Sequence, residues 1–307
     1  MKTLRIATRQ SPLALWQAEH VKQQLQSVHQ GLEIELVGMT TAGDRFLEAP
    51  LVEAGGKGLF IKELEQAIQA GKADIAVHSM KDVTIDMPDG FILPVIMKRE
   101  AVQDVLISNE YRSINEIPEG GVVGTSSLRR QSQLKAIRPD IIIRDLRGNV
   151  GTRLGKLDNK EYDAIILAAA GVKRLGLADR ISQTIPQDII LPAIGQGAIG
   201  IECLEKADEV LELITTLNDE ETSLCVTAER AMSRTLYGGC QLPIAGQAML
   251  DDQTITITGL VAKTDGSEII KSSLSGSKLE VTEIGQKLGE NLLAKGADQI
   301  LKELLNK

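Results

Sequence analysis

Short apolar runs that alternate with helix-like stretches limit the fold of this chain more than any other feature. The length and apolar composition of the runs are typical of buried strands, and helix-like stretches separate most of them. Alternation of this kind predicts a parallel sheet with helices on both faces, and a restart of the pattern near residue 98 predicts a second α/β domain. The strand-like runs lie at residues 4–8, 33–37, 74–77, 105–107, 122–123, 141–143 and 165–167.

The pattern changes after about residue 217. A helical stretch, an alternating strand at residues 254–258 and a hairpin signal at residues 263–266 predict a small α+β third domain. A long helix is expected over residues 279–305. Before this change, a glycine-rich crossing at residues 195–197 and a strand at residues 199–203 could return the chain to the first domain.

A basic segment interrupts an otherwise acidic chain. The chain has 34 Lys+Arg against 42 Asp+Glu, but residues 124–160 hold nine basic and three acidic residues. Arginine forks match carboxylate and phosphate geometry, so the segment is a candidate site for an anion with several acidic groups. A solvated basic face is an equally good interpretation of the same residues.

Composition argues against several classes of function. A net charge of −8 is unfavourable for a duplex-binding surface, and an aromatic content of 2% leaves few platforms for single-stranded nucleic acid. The N-terminus lacks the apolar region of a signal peptide, and no apolar run is long enough to span a bilayer. We therefore expect a cytoplasmic protein that contacts neither nucleic acid nor membrane.

Metal, disulfide and nucleotide motifs are missing or lie in the wrong context. Three widely spaced cysteines and three scattered histidines indicate neither a disulfide framework nor a metal site. Residues 195–200 match GxGxxG but open a strand, whereas a dinucleotide fingerprint opens a helix. The glycines at residues 55–58 lack the remainder of a Walker A motif.

Ser127 stands between a predicted strand and a predicted helix, where backbone N–H groups and the helix dipole favour an anion. Arg129 and Arg130 follow in the first turn, where positive charge is unfavourable to the helix itself. A ligand could supply the missing negative charge. A plain serine N-cap explains the pattern equally well.

Asp82 and Cys240 are the candidate reactive residues. Asp82 follows the carboxyl end of a strand, where ligands bind in open α/β sheets, and its carboxylate could stabilise a developing cation. In isolation, however, an aspartate that starts a helix is the more common case. Cys240 follows two glycines, which could expose its thiol, although free cysteines are usually buried and inert; Cys203 and Cys225 are expected in the core.

Seven motifs in order give the chain a resemblance to the porphobilinogen deaminase family, also called hydroxymethylbilane synthases. The resemblance runs from about residue 3 to the end. Its motifs are RxSxLA (residues 9–14), GGKGLF (55–60), HSMKD (78–82), GTSSLRR (124–130), LRGNVGTRL (146–154), LPAIGQGA (191–198) and GGCQ (238–241).

The resemblance implies a transferase of tetrapyrrole, porphyrin and heme biosynthesis. Four molecules of the small-molecule substrate porphobilinogen condense head to tail with loss of ammonia and give the linear tetrapyrrole hydroxymethylbilane. A dipyrromethane cofactor, attached through a thioether to Cys240, primes the chain. No metal is implied, and a monomer is expected.

The resemblance also assigns roles to residues. Asp82 is expected to be catalytic, to hold pyrrole N–H groups and to stabilise the azafulvene cation. Residues expected to bind the cofactor are Cys240, Lys81, Asp82, Ser127, Arg129, Arg130 and Arg153. Residues expected to bind the substrate are Arg9, Ser11, Lys57, Phe60, Arg147, Arg153 and Arg174.

The fold that the resemblance implies is α/β, with two domains similar to periplasmic binding proteins, a cleft between them and a small α+β C-terminal domain. The expected domains are residues 1–97 with 198–216, residues 98–197, and residues 217–307. A non-catalytic anion-binding module of the periplasmic type would share the first two domains. Against it stand the third domain and the Gly-Gly-Cys loop.

Overall fold

A computed structural model describes residues 3–41, 43, 61–238 and 242–305 of the 307-residue chain. The chain divides into two compact units. The first unit consists of Met1–Glu100 and Ala198–Ser223, and the second of Ala101–Gly197 and Leu224–Lys307. Residues 42 and 44–60, which include the glycines at residues 55–58, lie outside the described residues.

The first unit contains a five-stranded sheet in the order β2-β1-β3-β10-β4. Its strands are β1 (Thr3–Arg9), β2 (Glu33–Met39), β3 (Ile75–Ser79), β4 (Phe91–Ile96) and β10 (Ile199–Leu204). Its helices are α1 (Pro12–Val28), α2 (Lys62–Gln69) and α6 (Asp208–Ile214).

The two faces of this sheet are covered by different helices, as the sequence predicts. On one face, Ile75 and Val77 share a core cluster with α1 and α6 residues. On the other, Ala76 packs with Leu64 of α2. Because side chains alternate along a strand, His78 lies on the same face of β3 as Ala76.

The sheet is mixed, which corrects the prediction of a parallel sheet. Strand β1 is parallel to β2 and β3, but β10 is antiparallel to both β3 and β4. Strand β10 is reached directly from the glycine-rich crossing rather than through a helix of the strand–helix–strand pattern. Its direction is therefore not fixed by the right-handed βαβ connection that makes neighbouring strands parallel.

The second unit contains another mixed five-stranded sheet, in the order β7-β6-β8-β5-β9. Strand β6 is parallel to β7 and β8, whereas β5 is antiparallel to β8 and β9. Its strands are β5 (Asp104–Ile107), β6 (Val122–Gly124), β7 (Ile142–Arg144), β8 (Ala164–Ala168) and β9 (Gln183–Thr184). Its helices are α3 (Leu128–Ile137), α4 (Val150–Asp158) and α5 (Ala169–Arg174).

The last part of the chain contains a three-stranded antiparallel sheet, and the predicted hairpin joins its second and third strands. Its strands are β11 (Ile244–Asp251), β12 (Thr254–Ala262) and β13 (Ile269–Ser277). Helices α7 (Glu220–Thr235), α8 (Val281–Leu292) and α9 (Asp298–Leu305) belong to the same part of the chain. Met232 and Leu288 share one core cluster with Ile257, which confirms an α+β arrangement.

The single helix expected over residues 279–305 is divided into two helices, which corrects the prediction. The chain passes from α8 to α9 through a wide turn at Leu293–Ala297, where Gly296 has φ 109°. That conformation lies outside the helical region and suits glycine, because a Cβ would be strained there. Two short helices therefore replace the single long helix.

Candidate active site

The carboxyl ends of the parallel strands β1 and β3 form a cavity in the first unit. Arg9 is the last residue of β1, and Ser79 is the last residue of β3. Ser11 caps α1 and accepts a hydrogen bond from the backbone N–H of Ala14 at 3.4 Å. These three residues line the cavity together with Asp82. The structure thus brings together three residues that the sequence predicts for the site: Arg9, Ser11 and Asp82.

A single 3₁₀ turn, Met80–Asp82, places the Asp82 side chain. Met80 is buried and its backbone N–H donates to the carbonyl of Ala198 at 3.0 Å, so the turn is fixed to the start of β10. Gly200 leaves room for the Met80 side chain, because a Cβ at that position would overlap the Met80 sulfur. Asp82 itself is exposed. The half-buried Lys81 lies in the same turn.

Two cavity residues were missed by reasoning from sequence. Gln17 is 2% exposed, and its Nε2 donates to the Ser79 hydroxyl at 2.9 Å. His78 is 6% exposed, and its Nε2 lies 2.7 Å from the Glu202 carboxylate. Gln17 is a polar residue of α1, and its burial depends on which side of the helix faces the sheet, which the sequence around it does not show. His78 was noted in the sequence only as part of a motif.

In the second unit, Ser127 is the N-cap of α3, and its hydroxyl accepts from the backbone N–H of Arg130 at 3.4 Å. The two arginines that follow are turned into the protein. Arg129 Nη1 donates to one oxygen of Asp104 at 2.6 Å, and Arg130 Nη2 donates to the other at 2.7 Å. The negative charge that offsets these first-turn arginines is therefore supplied by the protein, and a ligand is not needed to explain it.

Asp104 is fully buried and also accepts a hydrogen bond from Gln196 Nε2 at 3.1 Å. Burial alone would raise the pKa of the Asp104 carboxyl, but the charges and hydrogen bonds of Arg129 and Arg130 hold that pKa well below its usual range. Two guanidinium groups share this one carboxylate. The cluster consequently carries an excess of positive charge.

The loop before α4 positions two further predicted arginines. Asn149 caps α4 by accepting from the backbone N–H of Thr152 at 2.9 Å. Arg153 Nε donates to the Gly148 carbonyl at 2.7 Å, and Gly148 has φ +111°. Arg147 Nη2 lies 3.8 Å from Asp145, and both arginines are half-buried. The Asn149 cap fixes the start of α4, and the Gly148 carbonyl fixes the Arg153 side chain.

Arg174 is near the end of α5, and its Nη2 donates to the Gly197 carbonyl at 2.7 Å. The crossing segment that contains Gly197 is held a second time by Glu229 of α7, which accepts from the backbone N–H of Gly195 at 2.7 Å. Gly195 and Gly197 both have positive φ, at 67° and 90°. The GxGxxG match leads into β10 rather than a helix, as the sequence indicates.

Other members of the basic segment have structural partners. Lys135 donates to the carbonyls of Pro139 and Ile141. Arg138 donates to Asp140 and to two backbone carbonyls, and Arg144 donates to the Glu161 carbonyl. The nine basic residues are thus not one continuous anion site.

Three predicted site residues, Lys57, Phe60 and Cys240, lie outside the described part of the chain. Cys203 and Cys225 are buried, which confirms the prediction that they belong to the core. Burial, and then the charge of Glu202, raise the pKa of the Cys203 thiol to about 11, so this thiol is not a ready nucleophile.

Within residues 3–41, 43, 61–238 and 242–305, no group of three or more His, Cys, Asp or Glu side chains could hold a metal ion. Helices long and apolar enough to cross a membrane are likewise not found in this part of the chain.

Comparison with solved structures gives weak likenesses to solute-binding proteins. The VFT2 domain of BvgS from Bordetella pertussis matches at 15% identity and TM-score 0.44, over 70% of this chain and 86% of that domain. The sulphonate binding protein SsuA from Escherichia coli matches at 13% identity and TM-score 0.42, over 77% and 71%. The methionine binding protein MetQ matches at 12% identity and TM-score 0.45, over 72% and 92%. Likenesses this weak carry no argument about function.

Family comparison is decisive. The family described as "Porphobilinogen deaminase, dipyromethane cofactor binding domain" matches residues 4–212, and "Porphobilinogen deaminase, C-terminal domain" matches residues 223–294. Both parts of the family occur in order and together cover most of the chain. The chain belongs to the porphobilinogen deaminase family.

Proposed function

We propose that this chain joins four porphobilinogen molecules head to tail, releases ammonia at each step and delivers hydroxymethylbilane. The family is a transferase of tetrapyrrole biosynthesis, so the reaction class follows from membership. One structural observation supports the site: Asp82 shares a cavity with Arg9, Ser11 and Ser79 at the carboxyl ends of two parallel strands.

The Asp82 carboxylate stabilises the positive charge that appears when ammonia leaves the aminomethyl carbon of porphobilinogen. Its exposure leaves it accessible to a ligand in the cavity, while the buried Met80 fixes the turn that carries it. A carboxylate already held in place needs little reorganisation as the charge develops. Such pre-organised groups are typically worth about 10²–10³ in rate.

Arg9 and Ser11, which line the same cavity as Asp82, supply donors for the acetate and propionate groups of the substrate. In the second unit, Arg147, Arg153 and Arg174 carry half-buried guanidinium groups that suit carboxylates. Lys57 and Phe60 are proposed as further substrate contacts from the family pattern alone.

Dipyrromethane, when bound, supplies the free pyrrole carbon on which the tetrapyrrole is begun. We propose its attachment through a thioether to Cys240. The donor set of the second unit fits a ligand with several carboxylates, because Arg129 and Arg130 share a single buried carboxylate and leave positive charge in excess. Ser127, Arg153, Lys81 and Asp82 are proposed as its other contacts.

Two further parts of the proposal come from the family pattern: three domains (residues 1–97 with 198–216, 98–197 and 217–307) and a monomeric state. A cytoplasmic location, and an activity that involves neither nucleic acid nor membrane, are proposed from the composition of the sequence. Elution volume in gel filtration tests the monomer directly, and limited proteolysis followed by mass analysis tests the domain boundaries.

Incubation of the purified protein with porphobilinogen tests the reaction. The proposal predicts one linear tetrapyrrole for every four ammonia molecules released, detected by mass spectrometry and an ammonia assay. Binding of porphobilinogen with no ammonia release would instead support the alternative of an anion-binding module. No described residue favours that alternative over the enzyme.

A further inference from the structure

His78 and Glu202 form a buried pair at the wall of the cavity that contains Asp82. His78 lies on β3 and Glu202 on the neighbouring antiparallel strand β10. The His78 Nε2 and Glu202 Oε2 atoms are 2.7 Å apart, and the two side chains are 5% and 1% exposed. His78 lines the same cavity as Asp82 and Ser79. The roles proposed for Asp82, Arg9 and Ser11 do not involve this pair.

The contact between His78 and Glu202 has a simple hydrogen-bond assignment. With the carboxylate of Glu202 as the acceptor, the hydrogen that lies between the two groups belongs to His78 Nε2. A neutral imidazole then has its lone pair on Nδ1, and among the described residues this atom has no hydrogen-bond partner. Glu202 Oε1 is buried and has no hydrogen-bond partner either.

Charges around the pair come from three sides. On α2, burial and then the charge of Glu202 raise the pKa of the Glu65 carboxyl, while His78 lowers it. Asp82 and Arg9 face the cavity from the turn after β3 and from the end of β1. Glu202 is the one carboxylate in hydrogen-bond contact with His78 among the residues described, so it orients the ring.

We propose that His78, oriented by Glu202, is the base that removes the α-proton after each new carbon–carbon bond forms. This inference rests on the proposed function and adds the residue that completes its proton balance. Asp82 is suited to stabilising a cation, whereas a neutral imidazole backed by a carboxylate is suited to accepting a proton.

The step balances for the additions in which the terminal ring comes from substrate. Ammonia leaves the incoming porphobilinogen, and the free α-carbon of the terminal pyrrole forms a bond to the resulting methylene carbon. The α-C–H bond then breaks, its electron pair returns to the pyrrole ring and restores aromaticity, and the proton passes to His78 Nδ1. His78 later gives this proton to the departing ammonia or to water, so that each addition releases one ammonium ion.

His78→Gln separates this role from a structural one. Glutamine keeps an N–H that can donate to Glu202 but lacks the second, basic nitrogen. The matched control is His29→Gln, since His29 lies at the end of α1 and its Nε2 contacts the Leu213 carbonyl at 2.9 Å. Circular dichroism and intact mass establish that each variant is folded and carries the same adduct as the unsubstituted protein.

Kinetics with ordinary porphobilinogen and with porphobilinogen deuterated at its free α-carbon provide the test. We expect His78→Gln to lower kcat by about 10²–10⁴ and to raise the isotope effect on kcat, because proton removal becomes rate-limiting. His29→Gln should change neither quantity. A fall in kcat with an unchanged isotope effect would mean that His78 only supports the fold and would overturn the proposal.

Glu202→Gln gives a second readout. Glutamine presents an N–H group as well as an oxygen to the ring, so His78 is no longer held with its hydrogen on Nε2. We therefore expect kcat to fall and the isotope effect on kcat to rise, as in His78→Gln. An unchanged isotope effect would contradict the role of Glu202. If either variant fails to fold, ¹⁵N NMR of the unsubstituted protein decides: neutral His78 must carry its proton on Nε2, and a proton on Nδ1 would exclude the base.

A failure of the proposed base can be distinguished from a failure of the proposed function. If the unsubstituted protein forms no tetrapyrrole, the function is wrong. If it forms tetrapyrrole and His78→Gln shows no new isotope effect, the base is wrong.

Discussion

Asp104→Asn is the substitution that tests the electrostatic account of the second unit most severely. Asp104 is fully buried and accepts hydrogen bonds from Arg129 Nη1, from Arg130 Nε and Nη2, and from Gln196 Nε2. Asparagine has almost the same shape, but it removes the negative charge and turns an N–H group toward other N–H donors. The two guanidinium groups would then be buried without a counter-charge.

The expected cost is large. Removing one partner of a buried ion pair typically destabilises a protein by about 3–5 kcal/mol, because the remaining charge is left uncompensated. A domain is commonly stable by about 5–15 kcal/mol, so this single change consumes a substantial part of that margin. Because Arg129 and Arg130 are proposed cofactor contacts, the variant should also carry less covalently bound pyrrole.

The pH dependence has a definite sign. The folded protein holds the pKa of the Asp104 carboxyl well below its unfolded value of about 3.9. A lowered folded-state pKa contributes stability that is present above the unfolded pKa and is lost as the pH falls through the folded one. The difference between unsubstituted protein and variant should therefore be constant at neutral pH and shrink below about pH 4.

Urea unfolding followed by circular dichroism measures this difference. The matched control is Asp140→Asn, because Asp140 pairs with Arg138 near the surface, where its side chain is 28% exposed. The control should have a much smaller effect on unfolding. Equal costs for the two variants, or a difference that grows toward acid pH, would refute the argument that burial makes the Asp104 charge indispensable.

Three further substitutions have clear expectations. Asp82→Ala should fold normally, since Asp82 is exposed, but lose about 10²–10³ in kcat; near-normal tetrapyrrole formation would remove its assigned role. Arg147→Lys should raise KM although it keeps the charge, because an ammonium group cannot reproduce the two-pronged hydrogen bonding of guanidinium, and unchanged kinetics with normal adduct mass would count against this. Tyr237→Asn should stabilise the protein by about 1 kcal/mol in urea unfolding, because Tyr237 is 64% exposed and has φ 57°, a conformation that asparagine adopts more readily; destabilisation would show that the tyrosine ring has an unrecognised contact.

Much of the fold could be predicted from apolar periodicity. The runs at residues 4–8 and 105–107 are strands because their side chains fill the core, and that requirement is visible in the sequence. Strand direction is a property of the whole sheet. Nothing within residues 199–204 distinguishes a parallel from an antiparallel neighbour, so the antiparallel direction of β10 could not be predicted.

Helix continuity and charge pairing show two further limits of prediction. Gly296 ends one helix turn with φ 109°, but a glycine inside an apolar pattern is also compatible with a continuous helix. No acidic residue is close to Arg129 and Arg130 in sequence, and a ligand could therefore be expected to supply the negative charge. Their partner, Asp104, is 25 and 26 residues away and meets them only in the folded protein.

Site residues in recognisable sequence contexts could be predicted, whereas residues that meet only through strand pairing could not. Asp82 could be located because ligands bind beyond the carboxyl ends of parallel strands, and Ser11 because it belongs to the first family motif. Glu202 gave no such signal: its sequence neighbours are apolar, and it meets His78 only through pairing of β10 with β3.

The intact mass of the purified protein, measured beside a Cys240→Ser variant, tests the central claim most directly. A deaminase that builds its own primer should exceed its sequence mass by two pyrrole units, and the variant should lack this excess. If the protein has been isolated without the adduct, incubation with porphobilinogen should restore it. A sequence mass that stays unchanged after that incubation would contradict the proposed function.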